Sequence, residues 1–425
     1  MNCHTRDLLR RIDGLCQRRD AVLRCRGTNS LPVEIIRRIF LFVVPESGCV
    51  MSDEGAFSRQ VWPANIISQT CRRWRQIALS IPALWAGLTF SHSWMRSRGT
   101  ANEWYLLCSE RSKNVLLRIS YNKDTFSSGL GYVCLLDQIH RWKVFTGNCG
   151  VATFVVAITG GVNHPVTIPS LEVLKLQCGD RDHNARKPLP SIHLPAIRSI
   201  YLDRLTDNVD LRPGIQLEVI TCVPTPKMMT ALQPCTNLRE LVLHIEREIF
   251  IDSRTRLHLP RLKKLGFQFR QADRQILSLI LHIIDFSSPS QLDLVLLLNS
   301  GHAQSPTSVA LDPPSLLLSQ ISDFRIEYRS TTAPSPITKA SIKRILQELP
   351  VLQELHLGCV SNLCALLRSA YSSFPPNIQR LTLNEYGHIP VGLWDLLSWR
   401  DEASLPPLES LTAYDCGDAS DQIVA

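Results

Sequence analysis

The segment Asn237-Leu238-Arg239-Glu240-Leu241-Val242-Leu243-His244-Ile245 decides the fold class. Its leucines follow the spacing L-x-x-L-x-L. In an extended chain side chains alternate between faces, so Leu241 and Leu243 share one side. The spacing returns through the rest of the chain: Leu171-Leu174-Leu176, Ile197-Ile200-Leu202, Leu262-Leu265-Phe267, Leu352-Leu355-Leu357, Ile378-Leu381-Leu383 and, more weakly, Leu408-Leu411-Ala413. Less regular copies fit at Leu217-Ile220-Cys222, Leu292-Val295-Leu297 and Ile321-Phe324-Ile326. Copies recur at intervals of about 20–30 residues, the range of stacked repeats.

One short strand cannot bury three large apolar side chains alone. Neighbouring copies therefore stack into a parallel sheet backed by helices or irregular turns. Several copies are announced by proline just upstream, as in Ile168-Pro169, Leu194-Pro195, Leu259-Pro260 and Leu349-Pro350. Helical returns are expected at residues 273–286, 338–349 and 361–372. Residues 299–315 and 330–337, rich in Ser, Thr and Pro, read as loops. The apolar runs 151–158 and 292–298 read as buried strands. The uneven spacing predicts an α/β, ragged and curved solenoid over residues 91–425.

Upstream the period changes to 3.6. Residues 5–26 carry Leu8, Leu9, Ile12, Leu15, Val22 and Leu23 among seven arginines, the pattern of one amphipathic helix within an N-terminal segment 1–30. Pro32 opens the next helix, and Ile35, Ile36, Ile39 and Phe40 give it an apolar stripe. Pro45 ends it, and residues 46–63 read as a loop. A second helical stretch runs from about Ala64 to Leu79. Pro82 breaks it, and Leu84-Trp85 follow as an apolar plug. This all-helical module, residues 31–90, has more apolar residues than a core of its size needs, which points to a protein-binding surface.

The motif Leu31-Pro32-x-Glu34-Ile35, with Ile39-Phe40, then Cys71-Arg72-x-Trp74-Arg75-x-Ile77 and Leu84-Trp85, resembles the F-box domain. The helix before it and the leucine-rich repeats after it resemble the F-box proteins of mushroom-forming fungi. One departure is the loop at 45–63, longer than the family's by about a dozen residues, a surface insertion of the kind that costs little. The resemblance implies a substrate receptor of an SCF-type ubiquitin ligase. The box would dock a Skp adaptor, and through it a cullin-RING ligase, while the repeats hold an unknown protein substrate. It implies adaptor contacts at Leu31, Pro32, Ile35, Ile39, Trp74, Ile77, Leu84 and Trp85. Trp74 and Ile39 read equally well as members of the module's own core. The alternative function is a leucine-rich-repeat scaffold that retains an F-box and works outside a ligase.

Composition bounds the remaining classes. The 425 residues carry a net charge of +8, with basic residues scattered rather than clustered with aromatics, which argues against a nucleic-acid binder. There are 14 cysteines and no Cys-x-x-Cys pair. With no signal-like opening and no Asn-x-Ser/Thr acceptor, an intracellular compartment, cytoplasm or nucleus, and free thiols are expected. No apolar run reaches the roughly 20 residues of a membrane helix. Cys359, Cys364 and His356 come nearest to a metal set, and Cys359 and Cys178 read instead as small residues facing the repeat core. No P-loop, Gly-x-Ser-x-Gly or His-Glu-x-x-His is present. The expectation is an interaction protein, not an enzyme, with no cofactor. Substrate contacts are expected between the leucines, at Lys175, Gln177, Tyr201, Asp203, His244, Gln268, His356, Thr382 and Asn384.

Overall fold

The computed structural model describes residue 14 and residues 31–44, 63–90, 98–121, 136–147, 149–159, 164–177, 190–202, 211–245, 256–269, 284–286, 291–297, 319–329, 339–358, 375–384, 397–398, 400–403 and 405–414. The chain is a mixed α/β protein that divides into two compact units, Met1–Tyr121 and Asn122–Ala425. The expected boundary at residue 90 falls inside the first. The expected helix at 5–26, the loop at 46–63, the helix at 361–372 and the loops at 299–315 and 330–337 lie outside the described residues, apart from residue 14 and Pro63, which is helical.

The first unit begins with α1 (Val33–Val43). Pro32 sits one position before it, where its missing N–H costs nothing, and its carbonyl accepts from Ile36 N–H at 3.1 Å. The helix stops at Val44, whose backbone is extended as expected of a residue preceding proline. The expected single helix over 64–79 is two: α2 (Pro63–Thr70) and α3 (Arg72–Leu79). Cys71 separates them in extended conformation, and its Sγ accepts from Trp74 N–H at 3.4 Å, capping α3. A 3₁₀ turn, Pro82–Trp85, leads into β1 (Gly87–Phe90); α4 (Arg98–Ser112) and β2 (Leu117–Tyr121) follow, and β1 and β2 pair in parallel.

In the second unit the main sheet takes its strands in chain order. They are β3 (Trp142–Gly147), β5 (Val173–Leu176), β7 (Ser199–Leu202), β9 (Val219–Cys222), β10 (Glu240–Ile245), β12 (Lys264–Phe269), β14 (Gln291–Leu297), β15 (Asp323–Arg329), β16 (Glu354–Gly358), β17 (Arg380–Asn384) and β18 (Ser410–Tyr414). Each is parallel to the next. The middle apolar residues fall in one register row: Leu174, Ile200, Ile220, Leu241, Leu265, Leu292, Phe324, Leu355, Leu381 and Leu411. The copy expected at Leu292-Val295-Leu297 is corrected in phase: Leu292, not Val295, takes the middle place, and Val295 pairs with Gln268 and Glu327. From Leu174 to Leu381 every member of the row is buried; Leu411, on the last strand, is half-buried. Neighbouring rungs thus bury what one rung cannot.

The returns are partly strand. Short strands β4 (Val166–Thr167), β6 (Ile192–Leu194) and β8 (Leu211–Pro213) make a small parallel sheet, and β11 (Leu257–Leu259) pairs with β13 (Ile284–Phe286). Leu194 and Leu259 precede proline, which favours extended backbone there and supplies no N–H to prolong the strand. The expected helix at 273–286 is therefore corrected at its end, where 284–286 are strand. The helix expected at 338–349 is present as α7 (Lys339–Gln347), preceded in the chain by α5 (Val151–Thr159) and α6 (Pro226–Leu232).

α5 also corrects the strand expected at 151–158. Val151, Phe154, Val155 and Ile158 are buried, an i, i+3, i+4, i+7 stripe, whereas Val156 is exposed. A short run apolar at nearly every position hides its period. Phe145 of β3 stacks on Trp142 at 5.3 Å and meets Phe154 at 4.8 Å, fixing α5 against the strand.

Candidate protein-docking site

α1 divides its apolar residues between two faces. Ile36 and Phe40 point inward, and Phe40 packs edge-on against Trp74 of α3 at 5.1 Å. Ile35 and Ile39 remain 41% and 42% exposed, and Phe42 is 91% exposed. Leu41, Val43, Ile66 of α2 and Leu79 of α3 are exposed as well. Single exposed apolar residues are ordinary, but several on one helix mark an interaction surface.

Of the residues expected to meet an adaptor, Pro32, Ile35 and Ile39 are exposed, and Leu31 and Trp74 are half-buried. Ile77, Leu84 and Trp85 are corrected: all three are buried within the first unit, Leu84 at 2% and Trp85 at 1% exposure. Trp85 Nε1 donates to the carbonyl of Ala78 at 3.0 Å. The Arg111 guanidinium lies 4.3 Å from its ring centroid, and Trp104 of α4 stands 6.2 Å away. The plug is part of the core because α4, which sequence reading did not count with this module, packs against it. Phe42 is the exposed apolar residue of this face that sequence reasoning missed. It follows the Ile-Phe of the motif by two positions, and the period Ile35, Ile39, Phe42 was present to be seen.

Electrostatics set this surface apart. Residues 31–44 and 63–90 hold five arginines and one carboxylate, Glu34. Three arginines brace the fold: Arg37 donates to Ser80 Oγ at 3.1 Å, Arg73 to the Leu31 carbonyl at 2.7 Å and Arg75 to the Ser68 carbonyl at 2.9 Å. Arg38 and Arg72 are exposed, and among the described residues they make no hydrogen bond or ion pair.

In the second unit the expected substrate contacts fall in separate places on the main sheet. Lys175 and Tyr201 are register partners, with Nζ 4.7 Å from the ring centroid, a cation–π contact. Gln177, just past β5, is exposed. His356 and Thr382 are register partners on β16 and β17, and Asn384 takes the register position beside Gly358. His244 and Gln268 pair on β10 and β12; His244 is buried and Gln268 half-buried. Asp203 lies outside the described residues, as do Cys178, Cys359 and Cys364. Among the described residues no group of three or more His, Cys, Asp or Glu is placed to hold a metal ion, and no helix is long and apolar enough to cross a membrane.

Between these places lies a charged cluster that sequence reasoning passed over. Lys264 Nζ sits 3.2 Å from both Glu240 and Asp293, and Gln291 Nε2 donates to Asp293 Oδ1 at 3.1 Å. Arg380 bridges Glu354 and Glu409. Burial works against the ammonium of Lys264, but Asp293 and Glu240 outweigh it and hold its pKa above the ordinary lysine value. Asp323 is raised, chiefly by burial and secondly by the charge of Asp293. The signal was in the repeats: in successive copies the residue just before the middle apolar position is Glu240, Lys264, Gln291, Asp323, Glu354 and Arg380, charged in all but one. The half-exposed pairs of Arg380 contribute about 0–1 kcal/mol each, so they set the charge pattern of the sheet face more than its stability.

A groove of about 610 Å³ lies along β8 and α6, lined by Leu211, Arg212, Pro213, Lys227, Thr230 and Pro234, with no carboxylate, thiol or imidazole among the described residues of its wall. No protein-family model matches the chain, and no curated protein matches it.

Proposed function

We propose that the chain is a two-ended connector: a substrate receptor of an SCF-type ubiquitin ligase, docking a Skp adaptor through the outer face of α1 and a protein substrate through the repeat unit. The motif at 31–85 resembles an F-box, and the repeated strands resemble a leucine-rich-repeat solenoid. The observation that carries the reading is the outward stripe Ile35, Ile39 and Phe42, left exposed by a helix that already buries Ile36 and Phe40. Fully burying a large apolar side chain is worth roughly 1.5–3 kcal/mol. Phe42 is almost wholly available for that; the two isoleucines offer less than half. The chain itself carries out no bond-making step in this reading; it brings substrate to the charged E2.

The test is co-purification of the full chain with a Skp adaptor and cullin, followed by ubiquitination of a captured partner on addition of E2. A stable complex and ubiquitinated partner support the reading. A folded chain that does not retain the adaptor refutes it.

A further inference from the structure

Arg38 occupies an awkward position for a docking face. Its neighbours one turn away on α1 are Ile35, Leu41 and Phe42, all exposed apolar residues, and Glu34. No ion pair joins Arg38 to Glu34, and among the described residues the guanidinium has no partner. A partner that covers Ile35, Leu41 and Phe42 also removes water from around Arg38. Guanidinium cannot neutralise itself by losing a proton, and an unpaired buried charge is expensive. Among the described residues 31–44 and 63–90 the only carboxylate is Glu34, against five arginines.

We infer that Arg38 determines specificity at this site: the partner's apolar seat carries a carboxylate placed against Arg38 and is acidic at its margin. The inference rests on the docking reading above and names the chemistry of the surface that α1 meets. A bidentate guanidinium–carboxylate pair fixes orientation as well as register, so it would set how α1 lies in the seat. Free Arg72 adds to the same field and speeds encounter with an acidic partner.

The experiment measures association and dissociation of the full chain with purified Skp adaptor at low and high salt. The variants are Arg38→Met, Arg38→Glu, Glu34→Gln and Phe42→Ala, all at exposed positions. Arg38→Met keeps the apolar stem and leaves the partner's carboxylate unpaired. It should weaken binding about 30-fold or more, mostly through faster dissociation; Arg38→Glu should weaken it further, and Glu34→Gln should stay within about twofold. Arg38→Met binding as tightly as the native chain overturns the inference, because the guanidinium then stays in water at the rim. A loss in Glu34→Gln equal to that in Arg38→Met also overturns it, by placing the counter-charge within this chain. In both cases weak binding by Phe42→Ala leaves the docking reading standing. Native-like binding by Phe42→Ala, or no binding by the native chain, removes that reading instead.

Discussion

Trp85→Ala separates the inside of the first unit from its docking surface. The side chain is 1% exposed, donates to the Ala78 carbonyl and carries the Arg111 guanidinium on its face. Removing a buried tryptophan costs about 3–5 kcal/mol from lost transfer and the cavity left behind. The stranded Ala78 carbonyl and the lost cation–π contact each add about 1 kcal/mol. Together these come to about 5–7 kcal/mol. Hydrogen exchange resolved by peptide is the assay, because a two-unit chain has no single unfolding free energy. Amides of α1, α3 and α4 should exchange at least about 100-fold faster, a factor corresponding to roughly 3 kcal/mol, while those of β10–β17 keep their protection. Phe42→Ala, at an exposed site, should change none of these rates. Unchanged exchange in Trp85→Ala, with adaptor binding lost, would refute the assignment of Trp85 to the core.

Further outcomes follow from burial and charge. Iodoacetamide should label exposed Cys71 in the native protein well before Cys108, Cys222 and Cys235, whose thiols burial pushes up to about 12, 12 and 11; peptide mapping by mass spectrometry checks this. Asp323→Asn should stabilise the second unit at neutral pH, read by denaturant unfolding. The native state raises this carboxyl's pKa, so the folded chain binds the proton more tightly and ionisation costs stability above the folded pKa. That cost disappears as pH falls through the folded pKa to the unfolded value, and the difference between variant and native chain should vanish there. Arg400→Met should release the end of the sheet. Arg400 is buried, and its Nη2 donates to the carbonyls of Ile378 at 3.0 Å and Pro406 at 2.6 Å. Two stranded acceptors cost about 1–3 kcal/mol each, seen as faster exchange in β17 and β18 before β10.

The repeated strands were legible because alternation and spacing are both local. Leu238, Leu241 and Leu243 announce a strand, and the recurrence announces its neighbours. The backing was less legible. β6 and β11 are three residues long, too short for a period, and α5 hides its helix in a run that is apolar almost throughout. The helical module at 31–85 was legible in outline only. Aromatic residues suit cores and interfaces alike, so Trp85, expected at the interface from sequence, proved to be core once α4 covered the plug. Phe42 went unnoticed for the opposite reason: it lies beyond the motif that drew the eye, although the helical period reaches it. The cluster around Lys264 needed the register, since Glu240, Lys264 and Asp293 belong to three separate copies.

The central claim is that the outer face of α1 holds the Skp adaptor. The most direct measurement is the affinity of purified adaptor for the full chain and for the double variant Ile35→Ala, Phe42→Ala, by titration calorimetry. On the area these side chains expose, the double variant should lose roughly 2–4 kcal/mol, on the order of 30-fold or more in Kd, with hydrogen exchange in α1–α3 unchanged. Equal affinity in the two proteins would contradict the account.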